Sequence, residues 1–146
     1  MNWPGKRKFH GGKMAIQYVL VTNNPKIECP AGDNVRLQFV NDCSNKVLIA
    51  GRDLLHKGWH LMNHPLYGNF RPYQQPFRTL LLREGRSGEA FDEYGLNLLE
   101  NALDVYANCG RPHVTPQNCF PRFLDDYQTI DRELMQETFI KCGFHR

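Results

Sequence analysis

A chain of 146 residues fits one domain, being near the commonest domain size and too short for two ordinary ones. With 41% apolar and 23% charged residues, the charges nearly balanced, it has the material for a core and lacks the composition of a disordered chain. A net charge of +3 is too small to suggest a basic nucleic-acid face, and no apolar run approaches the roughly 18 to 20 residues that cross a bilayer.

Residues 1–13 hold Trp3, Pro4, the run Lys6, Arg7 and Lys8, and a glycine pair, without strand or helix periodicity. No apolar segment follows the basic residues, so the stretch does not read as a secretory signal. It is expected to lie outside the fold, as a disordered extension or as a start called upstream of Met14. The single domain is then expected over 14–146.

The run from Ile16 to Val21 is β-branched and aromatic and ends in Thr22, Asn23, Asn24 and Pro25, so it reads as a strand followed by a turn. One helical turn is expected from Pro25 to Cys29, before Pro30 and Gly32 break it. Val35 to Val40 alternates apolar with polar residues, the pattern of a half-buried strand. Asp42 or Ser44 can cap a helix carrying Val47, Leu48, Gly51, Leu54 and Leu55 on one face, with Gly58 ending it. A short strand from Trp59 to Asn63 precedes a loop rich in Pro, Gly and Tyr, and Phe77 to Arg83 is apolar enough for a central strand. Two helices finish the chain. The first, from Phe91 to Ala107, carries Leu96, Leu99, Leu103 and Tyr106 on one stripe; the second, from Pro121 to Lys141, is expected to turn Phe123, Tyr127, Ile130 and Leu134 inward.

These elements predict an α/β fold: a small mixed, mainly parallel sheet of about four strands covered by helices, with two helices at the C-terminal end. The passage from Val35 to Asn63 should form a right-handed parallel crossover, and the last strand can enter antiparallel through the long loop. Cys29, Cys43, Cys109, Cys119 and Cys142 are odd in number and show no CxxC spacing, which fits reduced thiols in a cytoplasmic compartment.

In open α/β sheets, ligands bind beyond the carboxyl ends of parallel strands, where helix N-termini present unpaired N–H groups. That rule selects Thr22, Asn23 and Asn24 after the first strand, Asn41, Asp42, Ser44 and Asn45 after the second, and Asn63 and His64 after the third. Rich in hydrogen-bonding groups and poor in charge, these loops suit a small polar or anionic molecule, although the same residues are also ordinary turn formers and caps. His64 is a candidate general acid or base, because imidazole titrates near neutrality. His56, His60 and His64 recur every four residues, but Gly58 and Pro65 preclude one helix through all three, so no metal is assigned. GxSxG, P-loop and GxGxxG motifs are absent, and no cofactor is implied. Arg71, Arg78 and Arg111 could each clamp a carboxylate or phosphate, but read by default as solvated surface residues.

Laid out in this order, VLVTNNP over 19–25, GRDLLHKG over 51–58 running into HPL over 64–66, PFRTLLL over 76–82 and FLDDYQTID over 123–131 resemble the GrdX family. That resemblance implies a small bacterial cytosolic protein encoded beside the glycine, sarcosine and betaine reductase genes of anaerobic, amino-acid-fermenting bacteria, with no established activity. The segment after Pro25 is shorter than the helix expected of the family. Three functions compete at this point. One is a ligand-binding accessory protein using Thr22, Asn23, Asn24, Asp42, Ser44, Arg52 and Asn63. The second is an enzyme using His64. The third is a protein that docks on a reductase subunit through Tyr67, Phe70 and Tyr73.

Overall fold

Successive side chains of a strand point to opposite faces, so a strand whose Val19, Leu20 and Val21 are all fully buried must be covered on both sides. The computed structural model, which describes residues 9–10, 13–32, 34–68 and 71–144, places this strand at the centre of the molecule. Before it, β1 (Phe9–His10) and β2 (Lys13–Met14) form a two-stranded hairpin separate from the main sheet. The remainder of the expected N-terminal extension, 1–8 and 11–12, lies outside the described residues.

The main sheet contains β3 (Tyr18–Thr22), β4 (Val35–Phe39), β5 (His60–Leu61) and β6 (Thr79–Arg83), in the order β4-β3-β6-β5. Among the described residues its only parallel pairing is β3 with β4, since β6 runs antiparallel to both β3 and β5. The sheet is therefore mixed and not mainly parallel as expected. The reason lies in the loop after β5, which brings the chain back along the sheet, so that the wholly apolar Leu80, Leu81 and Leu82 enter in the opposite sense and take the second central place. β5 still points the same way as β4, as the crossover reading requires, but two strands separate them.

Helix α1 (Ser44–His56) and helix α2 (Glu93–Ala107) pack on the face formed by Val19, Val21, Leu80 and Leu82. Helix α3 (Pro121–Lys141) covers the other face, where Met135 and Phe139 meet Leu20, Ile27 and Leu81. Three other expectations change. No helix forms over 25–29; the chain turns there, with the Ile27 N–H donating to the Asn24 carbonyl. Neither Asp42 nor Ser44 caps α1: its N-cap is Cys43, without a side-chain bond, and Asp42 Oδ1 accepts the Cys43 N–H. The fully buried stripe of α3 is Asp131, Met135 and Phe139, displaced from the expected Phe123, Tyr127, Ile130 and Leu134. Apolar periodicity passes over the true stripe because a carboxylate stands at its head.

α2 begins with a double use of Asp92: its Oδ1 accepts the Gly95 N–H at 2.9 Å, and its Oδ2 accepts the Leu61 N–H at 2.9 Å. One carboxylate thus caps the helix and covers the β5 edge. Gly51 sets how closely α1 approaches the sheet, because a Cβ built there would lie 2.5 Å from Leu80 Cδ1. Leu80 is fully buried and cannot withdraw freely. Gly51→Ala is expected to destabilise the fold by about 1 to 3 kcal/mol through overpacking, despite the better helix propensity of alanine, as read by denaturant unfolding.

Candidate functional site

At the end of the sheet where β3 finishes and β6 begins, polar side chains meet around the carboxylate of Asp131. Asp131 is fully buried and accepts hydrogen bonds from the Tyr67 hydroxyl, from Asn24 Nδ2 at 2.9 Å and from Thr79 Oγ1 at 2.8 Å. With the Thr79 proton committed to Asp131, the Thr22 hydroxyl, 2.7 Å from Thr79 Oγ1, is the donor within that pair. Arg78, also fully buried, donates from Nη1 to the Tyr67 carbonyl at 2.9 Å and from Nε to the Tyr106 hydroxyl at 3.3 Å. Its guanidinium carbon sits 5.2 Å from the centre of the Tyr67 ring. Burial, reinforced by the Asp131 charge, pushes the Tyr67 phenol well above its usual value.

The residues selected from the sequence fall into two groups. Thr22, Asn23, Asn24 and Ser44 are buried and bonded to protein groups. Asn23 spans the sheet end by donating to the Asp42 and Pro76 carbonyls and accepting the Arg78 N–H; Ser44 contacts the Gln75 carbonyl and the Tyr106 hydroxyl. Asn63 extends the short β5 with its side chain, donating to the Thr79 carbonyl and accepting the Leu81 N–H. Asp42 and His64 are exposed, and His64 Nδ1 accepts the Leu66 N–H. His56 stacks on Phe91 and His60 lies 3.5 Å from Glu89, so the three histidines have separate surroundings. Among the described residues, no three His, Cys, Asp or Glu side chains are grouped to hold a metal ion.

Of the selected residues, Asn45 and Arg52 line an open cleft, about 220 Å³ in volume, between α1 and the end of α2. Asn45, Ile49 and Arg52 recur along one face of α1, opposite Leu103, Tyr106, Ala107 and His113. Arg52 Nη1 is 3.6 Å from Glu100 and one-third exposed, a pairing that an incoming anion can displace. His113 Nε2 lies 2.9 Å from the Tyr106 carbonyl, which can only accept, so this nitrogen carries a proton. Tyr106 links cleft and cluster, its hydroxyl touching both Ser44 and Arg78.

Sequence reasoning gave Asp131 and His113 no site role, read Tyr67 as a docking residue and Tyr106 as part of an apolar helix stripe, and placed Arg78 by default on the surface. A charged residue inside the apolar run before Leu80 was the available signal for Arg78. For Asp131 the signal was an acid four and eight residues ahead of Met135 and Phe139, which is one helical face. The aromatic loop is also drawn inward: the Tyr67 hydroxyl enters the cluster, Tyr73 lies under Arg111 at 5.3 Å, and Phe70 falls outside the described residues. No helix among the described residues is long and apolar enough to cross a membrane.

Residues 19–140 match the family model described as GrdX-like protein. No curated protein and no solved structure matches the chain.

Two carboxylates give the fold opposite responses to pH. Burial, the dominant effect, raises Asp131 above its ordinary 3.8, against the opposing hydrogen bonds from Tyr67, Asn24 and Thr79. The folded chain therefore holds that proton more tightly than the unfolded one. Its contribution is complete below the ordinary value and is lost as pH rises through the raised one. Glu89 is held at about 2, against an ordinary 4.5, chiefly by the hydrogen bond from Arg83. Its contribution is complete above 4.5 and is lost as pH falls toward 2. In melting curves between about pH 2 and 7, Asp131→Asn should remove the loss on the rising side, and Glu89→Gln the loss on the acid side. Asp131→Ala strands three donors and should cost about 3 kcal/mol in denaturant unfolding.

Proposed function

Because the chain belongs to the GrdX-like family, we propose that it is an accessory protein of glycine, sarcosine or betaine reduction that holds a small carboxylate or phosphate in the cleft between α1 and α2. The observation that carries this reading is the composition of that cleft. A guanidinium, an amide and an imidazole (Arg52, Asn45 and His113) surround an apolar floor of Ile49, Leu103 and Ala107, which suits a small anion with a short hydrocarbon body. At about 220 Å³ the space is below the range for drug-sized ligands and matches a molecule of a few heavy atoms. In this reading the residues first selected at the strand ends support the site: Ser44 orients the Tyr106 hydroxyl, while Thr22, Asn23, Asn24 and Asn63 hold the sheet end beneath it. Asp42 and His64 take no part in binding.

Thermal shift with glycine, sarcosine, betaine and acetyl phosphate tests the proposal. A ligand at about 100 times its dissociation constant adds about 2.7 kcal/mol, which for a chain of this size raises Tm by about 8 °C. Arg52→Ala should abolish that rise while changing ligand-free stability by less than about 0.5 kcal/mol, as expected for a partly exposed residue. A flat response to the whole panel, or a rise that survives Arg52→Ala, would refute the assignment.

A further inference from the structure

A cavity of about 480 Å³, more than twice the volume of the α1–α2 cleft, opens on the α3 side of the sheet, between residues 28–31 and the C-terminal half of α3. That volume lies within the range of sites that enclose a drug-sized molecule. Phe139 and Phe144 both line it, with ring centres 6.4 Å apart and ring planes at 86°, so the two rings form a corner. Tyr18 packs edge-on against Phe144 at 4.9 Å and holds that ring in place. Ile140 lines the same wall and is 69% exposed, so an occupant would bury apolar surface that the chain leaves in water. The charged part of the lining is Glu28, Glu133 and Arg132, one negative charge in excess. Arg132 Nη2 stands 3.6 Å from Glu133 Oε1, so those two charges offset each other. Among the described residues, no hydrogen bond or ion pair holds the Glu28 carboxylate. The uncompensated charge is therefore that of Glu28, across the cavity from α3.

We propose that this cavity binds a small organic cation with an apolar body, its charged group held between Glu28 and the corner of Phe139 and Phe144. A cation is drawn both to a carboxylate and to the negative face of an aromatic ring, so one charged group can use both walls. Its apolar body covers Ile140 and the rings. An anion of the same shape meets the excess negative charge, and a neutral molecule gains only the apolar contact. The preference is opposite in sign to that of the α1–α2 cleft, where Arg52 and His113 favour an anion. Charge alone thus sorts ligands between the two sites.

Titration calorimetry on the full chain tests this, with benzyltrimethylammonium as the probe and benzyl alcohol and phenylacetate as neutral and anionic comparators. Saturable binding of the cation is expected, with both comparators at least about fivefold weaker. Glu28→Gln, at an exposed position, should weaken the cation about fivefold and leave benzyl alcohol unchanged. Arg132→Gln removes a like charge and should tighten the cation about twofold. Alkylation of Cys29, which lines the cavity, should slow in the presence of the cation while that of Cys109 does not. Arg52→Ala should leave all these values as they are, which separates this site from the α1–α2 cleft. The proposal is overturned if the cation does not bind, if benzyl alcohol or phenylacetate binds equally well, or if Glu28→Gln leaves the affinity for the cation unaltered.

Discussion

One buried carboxylate fastens this molecule together. Asp131 on α3 takes hydrogen bonds from the turn after β3, from the first residue of β6 and from the loop between β5 and β6, so that four separate stretches of chain meet at two oxygen atoms. A carboxylate out of water is costly unless its lone pairs are filled, and the three donors here fill them. Such an arrangement tolerates little slack, since moving any contributing segment leaves a polar group without water or partner. The apolar contacts of α3 through Met135 and Phe139 supply attraction without direction; Asp131 supplies the register.

The elements themselves were largely legible in the sequence. Periodicity located β3, β4, β6 and all three helices, with α3 placed over the same residues that the structure shows. What it did not convey was adjacency. The direction of each strand follows from local chemistry, but its neighbour depends on which strands most need burial on both faces, a comparison made across the whole chain. That comparison put Leu80 to Leu82 between β3 and β5, antiparallel to both, so that the mixed sheet is not the mainly parallel one expected. The same limit hid Asp131 and Arg78. An isolated charge in a helix or strand pattern reads as surface until the partners that neutralise its burial are known, and those partners lie up to 107 residues away.

The strand-end rule located the polar centre of the molecule without defining its role. Thr22, Asn23, Asn24, Ser44 and Asn63 do gather near one end of the sheet, but their hydrogen-bonding capacity is spent on the backbone and on one another. Asparagine suits this work because its amide offers donor and acceptor together, so Asn23 and Asn63 continue a ladder beyond the strands. The open space lies one layer away, over α1 and α2, where Asn45 and Arg52 were the selected residues positioned to reach it. Tyr106 joins the two regions, lining the cleft while its hydroxyl meets Arg78, so the cleft and the sheet end are one side chain apart.

The place of β3 has a consequence for how the chain is made. It is the first strand of the main sheet to leave the ribosome, yet it ends as one of the two central ones, flanked by a partner only a short loop behind and by another whose Thr79 trails Thr22 by 57 positions. The nascent chain therefore carries an apolar ribbon with one side unmatched through much of its synthesis, an interval in which mispairing with neighbouring polypeptides competes with completion. Turns bearing Asn23, Asn24 and Pro25 directly after that ribbon keep it from lengthening while it waits.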